Sequence, residues 1–120
     1  MNILITRPLM DAEDIMEKFF AYGHKIIHLP TLKISPVTTD LVNPDSFDAF
    51  IFTSTNAVRN LKLVSANKNL YCFCVGSITE KIARQLGFTN TISAGGTVNA
   101  LKNLIMISDE INKNSNLAYF

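Results

Sequence analysis

Tryptophan is absent from this chain, and cysteine occurs only twice in 120 residues. Two cysteines build no disulfide framework. Cys72 and Cys74 stand two apart in a strand-like run, so they share one face. Neighbours on one strand rarely meet disulfide geometry, and free cysteine is usually buried, so both read as core thiols. An excess of charge of either sign is also missing: eleven Lys plus Arg face ten Asp plus Glu, for a net charge of +1. Without a basic stripe there is no electrostatic footprint for nucleic acid. No apolar run approaches the ~20 residues that a membrane span needs. The N-terminus lacks a charged region followed by a long apolar core, so no signal peptide is expected. These absences point to a soluble, cytoplasmic chain with neither a nucleic-acid nor a membrane partner.

Several site motifs are missing as well. There is no G-x-x-x-x-G-K-S/T phosphate loop, no G-x-G-x-x-G after the first strand and no G-x-S-x-G elbow. The first strand runs into Thr6-Arg7-Pro8, without the paired acids that hold Mg²⁺ in a phospho-receiver domain. His24 and His28 flank the second strand with no Cys, Asp or Glu at metal-ligand spacing, so no metal site is expected there.

What is present is apolar substance, 48% of residues, ample for a core in one ordinary domain or a piece of a larger protein. The pattern alternates strand and helix, which predicts an α/β fold with a parallel sheet and flanking helices. Asn2 to Ile5 reads as a strand. After Pro8, the acids Asp11, Glu13 and Asp14 suit a helix N-terminus. Ala12, Ile15, Met16, Phe19 and Phe20 follow at helical spacing, and Gly23 supplies the stop. Lys25 to Leu29 is a second strand. Pro30 to Pro44 has no helical period and reads as an extended connector, in which Leu32 and Ile34 alternate as an edge strand does.

From Asp48 the alternation resumes. Ala49–Phe52 is a strand, and a short helix runs from Ser54 to about Leu63 with Ala57, Val58 and Leu61 inward. Leu70 to Val75 is a strand. Ser77-Ile78-Thr79-Glu80 has the spacing of a capping box, and Ile78, Ile82, Ala83 and Leu86 form the buried face of the next helix. Asn90 to Ser93 is a short strand. Thr97 caps a helix whose inner face is Val98, Leu101, Leu104 and Ile105. Leu117 to Phe120 begins another buried strand. A repeat ending on an apolar strand predicts a truncated chain, with Leu117–Phe120 as an unpaired edge.

The stretch Phe50-Ile51-Phe52-Thr53-Ser54-Thr55-Asn56-Ala57-Val58 carries most of the functional signal. An apolar strand stops, and small polar residues precede a helix. In a parallel sheet this is how a binding loop is presented at the carboxyl end of a strand. Amides at such helix starts point outward and favour anions. Cys74-Val75-Gly76-Ser77-Ile78-Thr79 repeats the arrangement. Two such junctions on one sheet edge suggest a cleft for an anionic ligand; ordinary helix caps are the alternative. Arg7 leaves the first strand on the same edge if all strands are parallel. It then contacts a carboxylate or phosphate, or else is held by an acid such as Asp11. Arg59 and Arg84 read as surface residues, and Tyr71 as packing.

Taken in order, these pieces resemble uroporphyrinogen-III synthase. They are Ile3-Leu4-Ile5-Thr6-Arg7-Pro8, then Leu29-Pro30 with Leu32-x-Ile34-x-Pro36, then Phe47 to Val58, then Val75-Gly76-x-x-Thr79, Leu86-Gly87-Phe88 and a glycine loop before the helix with Leu101. The resemblance spans nearly the whole chain, and Thr-Ser-x-Asn-Ala-Val after the strand is its most specific part. It implies two α/β domains joined by a two-stranded connector. Residues 1–33 are then the first part of one domain and residues 34–120 a second domain incomplete at its C-terminal end. It also implies cyclisation of hydroxymethylbilane, a linear tetrapyrrole, to uroporphyrinogen III, with loss of water, inversion of the D ring and no cofactor. The full-length protein is expected to be a monomer.

The substrate carries many acetate and propionate groups, which suits a cleft of amides and hydroxyls. Thr53, Ser54, Asn56, Gly76 and Thr79 are the expected substrate-binding residues, with Arg7 a further one. No catalytic residue is assigned: the family's cleft tyrosine comes from a later junction, beyond Phe120. The competing expectations are a non-catalytic α/β module that binds a small anion through the same loops, and an inactive partial domain.

Overall fold

The structure, a computed structural model, describes residues 1–36, 43–60 and 67–120. The chain divides into two units, Met1–Ser35 and Pro36–Phe120.

In the first unit, Asn2–Ile5 forms β1, Leu9–Ala21 forms α1 and Lys25–His28 forms β2. β1 and β2 pair in parallel, with Asn2 opposite Lys25 and Ile5 opposite His28. The pairing continues past both strands, where the Leu29 amide donates to the Ile5 carbonyl (2.9 Å) and the Thr31 amide to the Thr6 carbonyl (3.0 Å). There it ends. Residues 31–36 belong to no strand, so Leu32 and Ile34 do not form the expected edge; Leu32 is exposed. Pro30 and Pro36 bracket the segment and lack the amide hydrogens a ladder needs. This also removes strand pairing from residues 31–36 of the expected two-stranded connector; residues 37–42 lie outside the described residues. Of the expected inner face of α1, Ala12 is fully buried, whereas Ile15 and Phe20 are exposed.

The second unit begins with a 3₁₀ turn at Pro44–Ser46, capped by the Asn43 side chain accepting from the Asp45 amide at 3.1 Å. Then follow β3 (Ala49–Phe52), α2 (Thr55–Asn60), β4 (Tyr71–Cys74), α3 (Ser77–Gln85), β5 (Thr91–Ser93), α4 (Val98–Met106) and β6 (Leu117–Tyr119). The expected inward Leu61 and the end of the helix near Leu63 lie outside the described residues. The four strands are parallel in the order β5-β4-β3-β6. β6 lies along β3 on one side, with Ala49 opposite Leu117 and Ile51 opposite Tyr119, and forms the edge of the sheet among the described residues, as expected. Asp48 fixes that register. Its amide donates to the Asn116 carbonyl (2.8 Å), and its carboxylate accepts from the Asn116 amide (2.7 Å).

Period-2 alternation splits the core between the two faces of this sheet. Phe50, Phe52, Cys72, Cys74 and Ala118 face one way and pack with Val58 of α2, Ala83 of α3 and Phe88. Ala49, Phe73, Ile51, Val75 and Leu117 face the other way, against Leu101, Leu104 and Ile105 of α4. Phe50 meets Phe88 edge-on at 6.0 Å and Phe120 at 5.7 Å between ring centroids. Burying a side chain of that size stabilises by roughly 2–3 kcal/mol.

One helix, α3, is turned relative to the sequence reading. In α3 the buried residues are Thr79 and Ala83, while Ile78 is 69% exposed and Leu86 is exposed. The helix start differs from the sequence reading as well. Gly76, not Ser77, is the N-cap, and its carbonyl accepts from the Glu80 amide at 3.1 Å. No Ser77–Glu80 capping box forms, because the Glu80 carboxylate turns away to the Arg84 guanidinium (2.8 Å) and the Thr91 hydroxyl (3.3 Å). Arg84 is exposed, as expected of a surface residue, and also donates to the Thr91 carbonyl at 3.0 Å, which ties α3 to β5. α4 packs through Leu101, Leu104 and Ile105 as expected, with Val98 alone of its expected inner face exposed.

Candidate functional site

Strand order locates the crevice. From β3 the chain builds outward to β4 and β5, with α2 and α3 on one face. α4 then crosses the other face and delivers β6 to the opposite side of β3. The order reverses between β3 and β6, and in open α/β sheets ligands bind beyond the carboxyl ends of the strands at such a reversal.

Thr53 and Ser54 leave β3 at this point, and Tyr119 and Phe120 close β6. The Thr53 amide donates to the Phe120 carbonyl at 3.4 Å. The Thr53 hydroxyl stands 3.3 Å from the Tyr119 hydroxyl and 3.4 Å from the Phe120 carbonyl. Ser54 accepts the Asn56 amide at 3.1 Å, a turn that starts α2, and the Asn56 carbonyl receives the Asn60 side chain at 2.8 Å. Thr53, Ser54 and Asn56 are all half-buried.

One strand over, the Val75 amide donates to the Phe52 carbonyl (2.9 Å), which joins the second junction to the first. Gly76 caps α3 with no side-chain bond. A Cβ on Gly76 would stand 3.5 Å from the Cα of Gly96, and the Gly96 amide donates to the Val75 carbonyl at 2.7 Å. Gly96 has φ +101°, a conformation that side-chain-bearing residues rarely adopt. The β4 and β5 exits thus lie against each other, and it is the backbone conformation of Gly96, not the space at Gly76, that calls for glycine there. Beyond them Thr97 caps α4 by accepting the Ala100 amide at 3.1 Å.

The predicted residues separate into three groups. Thr53, Ser54 and Asn56 form one loop at the reversal, and Gly76 sits at the neighbouring strand exit. Thr79 points inward, 4% exposed, so its side chain is not offered to a ligand. Arg7 does not share an edge with Thr53, because β1 pairs in a separate two-stranded sheet. Arg7 is exposed, and its carbonyl accepts from His28 Nε2 at 2.9 Å. The sequence reading missed Tyr119. No spacing signalled it, because its place beside Thr53 depends on β6 pairing with β3.

The chemistry of these junctions is that of uncharged donors: hydroxyls and amides, with no ionisable side chain from Thr53 to Asn56 or from Gly76 to Thr79. They suit anionic oxygens, whose hydrogen bonds are the stronger kind. Burial, above all else, pushes the Cys72 and Cys74 thiols up to about 12, so neither is a nucleophile. Tyr71 is raised through its bond to Glu110. Glu80 is lowered by its bonds to Ser93 and Arg84. Among the described residues no group of three His, Cys, Asp or Glu could hold a metal, and no helix is long and apolar enough to cross a membrane. An open hollow of about 520 Å³ runs along α3, lined by Ser77, Glu80, Lys81, Arg84 and Gln85. One helix supplies its whole lining, so it is a surface groove and not a rival to the strand reversal.

A family model described as uroporphyrinogen-III synthase HemD matches residues 13–119. Comparison with curated proteins gives no match. The match covers most of the chain, and the chain belongs to this family; its parallel sheets with flanking helices are consistent with that fold. Membership carries a synthase-like role in tetrapyrrole biosynthesis.

Proposed function

We propose that the chain carries part of the machinery that cyclises hydroxymethylbilane to uroporphyrinogen III, with loss of water and inversion of the D ring. The observation behind this reading is the family match over residues 13–119. The site chemistry supports it independently. A linear tetrapyrrole with acetate and propionate groups along its length needs many modest donors spread over a surface. The junctions after β3 and β4 offer hydroxyls and backbone amides instead of one strong cation. Thr53, Ser54 and Asn56 bind carboxylates in this reading, and Gly76 lets the ligand approach the backbone closely. Thr79, being buried, positions the start of α3. Arg7, an exposed cation of the first unit, is a carboxylate-binding candidate of that unit by itself. Residues 1–33 and 34–120 belong to different domains.

Catalysis by such a surface is mostly a matter of geometry. Folding the substrate so that its two ends meet converts ring closure into a well-placed intramolecular step, a gain of up to about 7–11 kcal/mol in favourable cases. Hydrogen bonding to the departing hydroxyl adds general acid help.

The test is cyclisation of enzymatically generated hydroxymethylbilane by the 120-residue chain, followed by oxidation and separation of isomers I and III. Isomer III above the spontaneous background is the expected result. Isomer I alone would overturn synthase activity for this chain and leave the reading of a small-anion-binding module.

A further inference from the structure

The Thr53–Tyr119 hydroxyl pair has a bonding pattern suited to receiving a ligand. Thr53 has one hydroxyl hydrogen and two acceptors within reach, the Phe120 carbonyl at 3.4 Å and the Tyr119 oxygen at 3.3 Å. When that hydrogen goes to the carbonyl, the Tyr119 hydroxyl donates to Thr53. When it goes to Tyr119, the phenol hydrogen is released to point elsewhere. Either way the pair contains one hydrogen that can be re-aimed without breaking the sheet. An arriving carboxylate is a far better acceptor than a neutral hydroxyl, since bonds to charged groups are roughly twice as strong. It would draw the Tyr119 hydrogen to itself while Thr53 turns to support the phenol oxygen.

Position and exposure fit this use. Tyr119 stands opposite Ile51 in the β3–β6 ladder, so Thr53, two residues past Ile51, projects from the same face. Tyr119 is 67% exposed. Phe50, Phe52 and Phe73 bury their rings on the interior strands β3 and β4, whereas Tyr119, on the edge strand β6, leaves its ring within reach of a ligand where the strand order reverses.

We infer that the Thr53–Tyr119 hydroxyl pair, at the carboxyl ends of β3 and β6, is a subsite that binds one carboxylate side chain of the ligand, with Tyr119 as donor and Thr53 as its support. The identity of that ligand as a tetrapyrrole polycarboxylate rests on the function proposed above.

The test is fluorescence titration of uroporphyrin III, the oxidised form of the proposed product, into the 120-residue chain and its variants. Tyr119→Phe keeps the ring and removes only the hydroxyl, so folding is retained; a circular dichroism melt checks this. It is expected to weaken binding about ten-fold, the loss of one charge-assisted bond. Thr53→Val is expected to weaken it several-fold, and Thr53→Ser, which restores the hydroxyl, to recover most of that loss. The double variant Thr53→Val, Tyr119→Phe is expected to bind no worse than Tyr119→Phe alone, because the two groups act as one unit. If the wild-type chain binds and Tyr119→Phe binds within two-fold of it, the subsite is overturned while the tetrapyrrole reading stands. If the wild-type chain binds no uroporphyrin III, both fall together.

Discussion

The two units are written in the same β-α pattern, yet they bury very different amounts of it. In Met1–Ser35 only Ile5 and Ala12 lie in the core, whereas large apolar side chains such as Leu4, Phe20, Ile27 and Leu29 are exposed. In Pro36–Phe120, Phe50, Phe52 and Phe73 are completely buried, along with Cys72, Cys74 and Ala83. The difference is one of layers. β1 and β2 carry a helix, α1, yet Leu4 and Ile27, opposite each other in the ladder, are open to solvent. The four-stranded sheet has α2 and α3 on one face and α4 on the other, so both alternating sets of its strand residues find partners. A parallel sheet becomes a core only when both faces are covered, and amphipathic pattern alone does not guarantee that.

The sharpest way to break this comparison is to remove one phenylalanine from each unit. Phe50→Ala is expected to destabilise by about 3–5 kcal/mol, through lost burial and the cavity left among Phe88, Phe120 and Cys72. Phe20→Ala, at a position 75% exposed, is expected to change stability by less than about 0.5 kcal/mol. Urea unfolding measures both. Comparable losses would show that the two units do not differ as their burial says.

A smaller effect is expected at the glycine contact. Gly96→Ala places a Cβ on a residue with φ +101°, a strain of about 1–3 kcal/mol. Gly76→Ala meets only an ordinary 3.5 Å contact with Gly96 and is expected to be far milder. A thermal melt of the two variants separates backbone conformation from space as the reason for glycine there.

Thiol labelling sharpens the contrast between units without altering the core. Cys72 and Cys74, fully buried and pushed up to about 12, are expected to stay unlabelled by iodoacetamide at pH 8 until the chain unfolds. A cysteine placed by Ile27→Cys, at a half-exposed position of the first unit, is expected to react in the folded protein. Rapid modification of the native pair would contradict their burial.

The smallest effect is electrostatic. Glu80 is lowered from its ordinary 4.5 by bonds to Ser93 and Arg84. A lowered carboxyl contributes stability that is present above its unfolded value and lost as pH falls through the folded one. Glu80→Gln is therefore expected to cost about 1 kcal/mol or less at pH 7, because the pair is partly solvated. The difference from wild type is expected to shrink once pH falls below 4.5 and to vanish below the lowered folded value. Urea unfolding at pH 7 and pH 3 checks the sign.

Much of this fold was legible in the residues. All six strands fall within a residue or two of their apolar runs, and Thr97 caps α4 as its position suggests. The loop Thr53-Ser54-x-Asn56 was recognisable as a strand exit followed by a helix start. What failed did so where several local options had equal standing. Ser77 and Gly76 are both acceptable caps, and Ile78 and Thr79 are neighbours of which packing on the sheet chose Thr79 to face inward. Arg7 carried the expected charge at the expected strand end, but a strand end does not say which sheet the strand joins. Tyr119 looked like any strand tyrosine until β6 was placed beside β3.

By itself the sequence determined the alternation of elements, the apolar faces of the central strands and the polar loop after β3. These follow from periodicity and capping, which act over a few neighbouring residues. Tertiary structure alone decided the order β5-β4-β3-β6, the contact between Gly76 and Gly96, and the meeting of Thr53 with Tyr119 across 66 positions of chain. Parallel strands are joined only through long crossovers, so no local pattern specifies which two will lie side by side. That choice is made by the core as a whole, when both faces of the sheet must be filled at once.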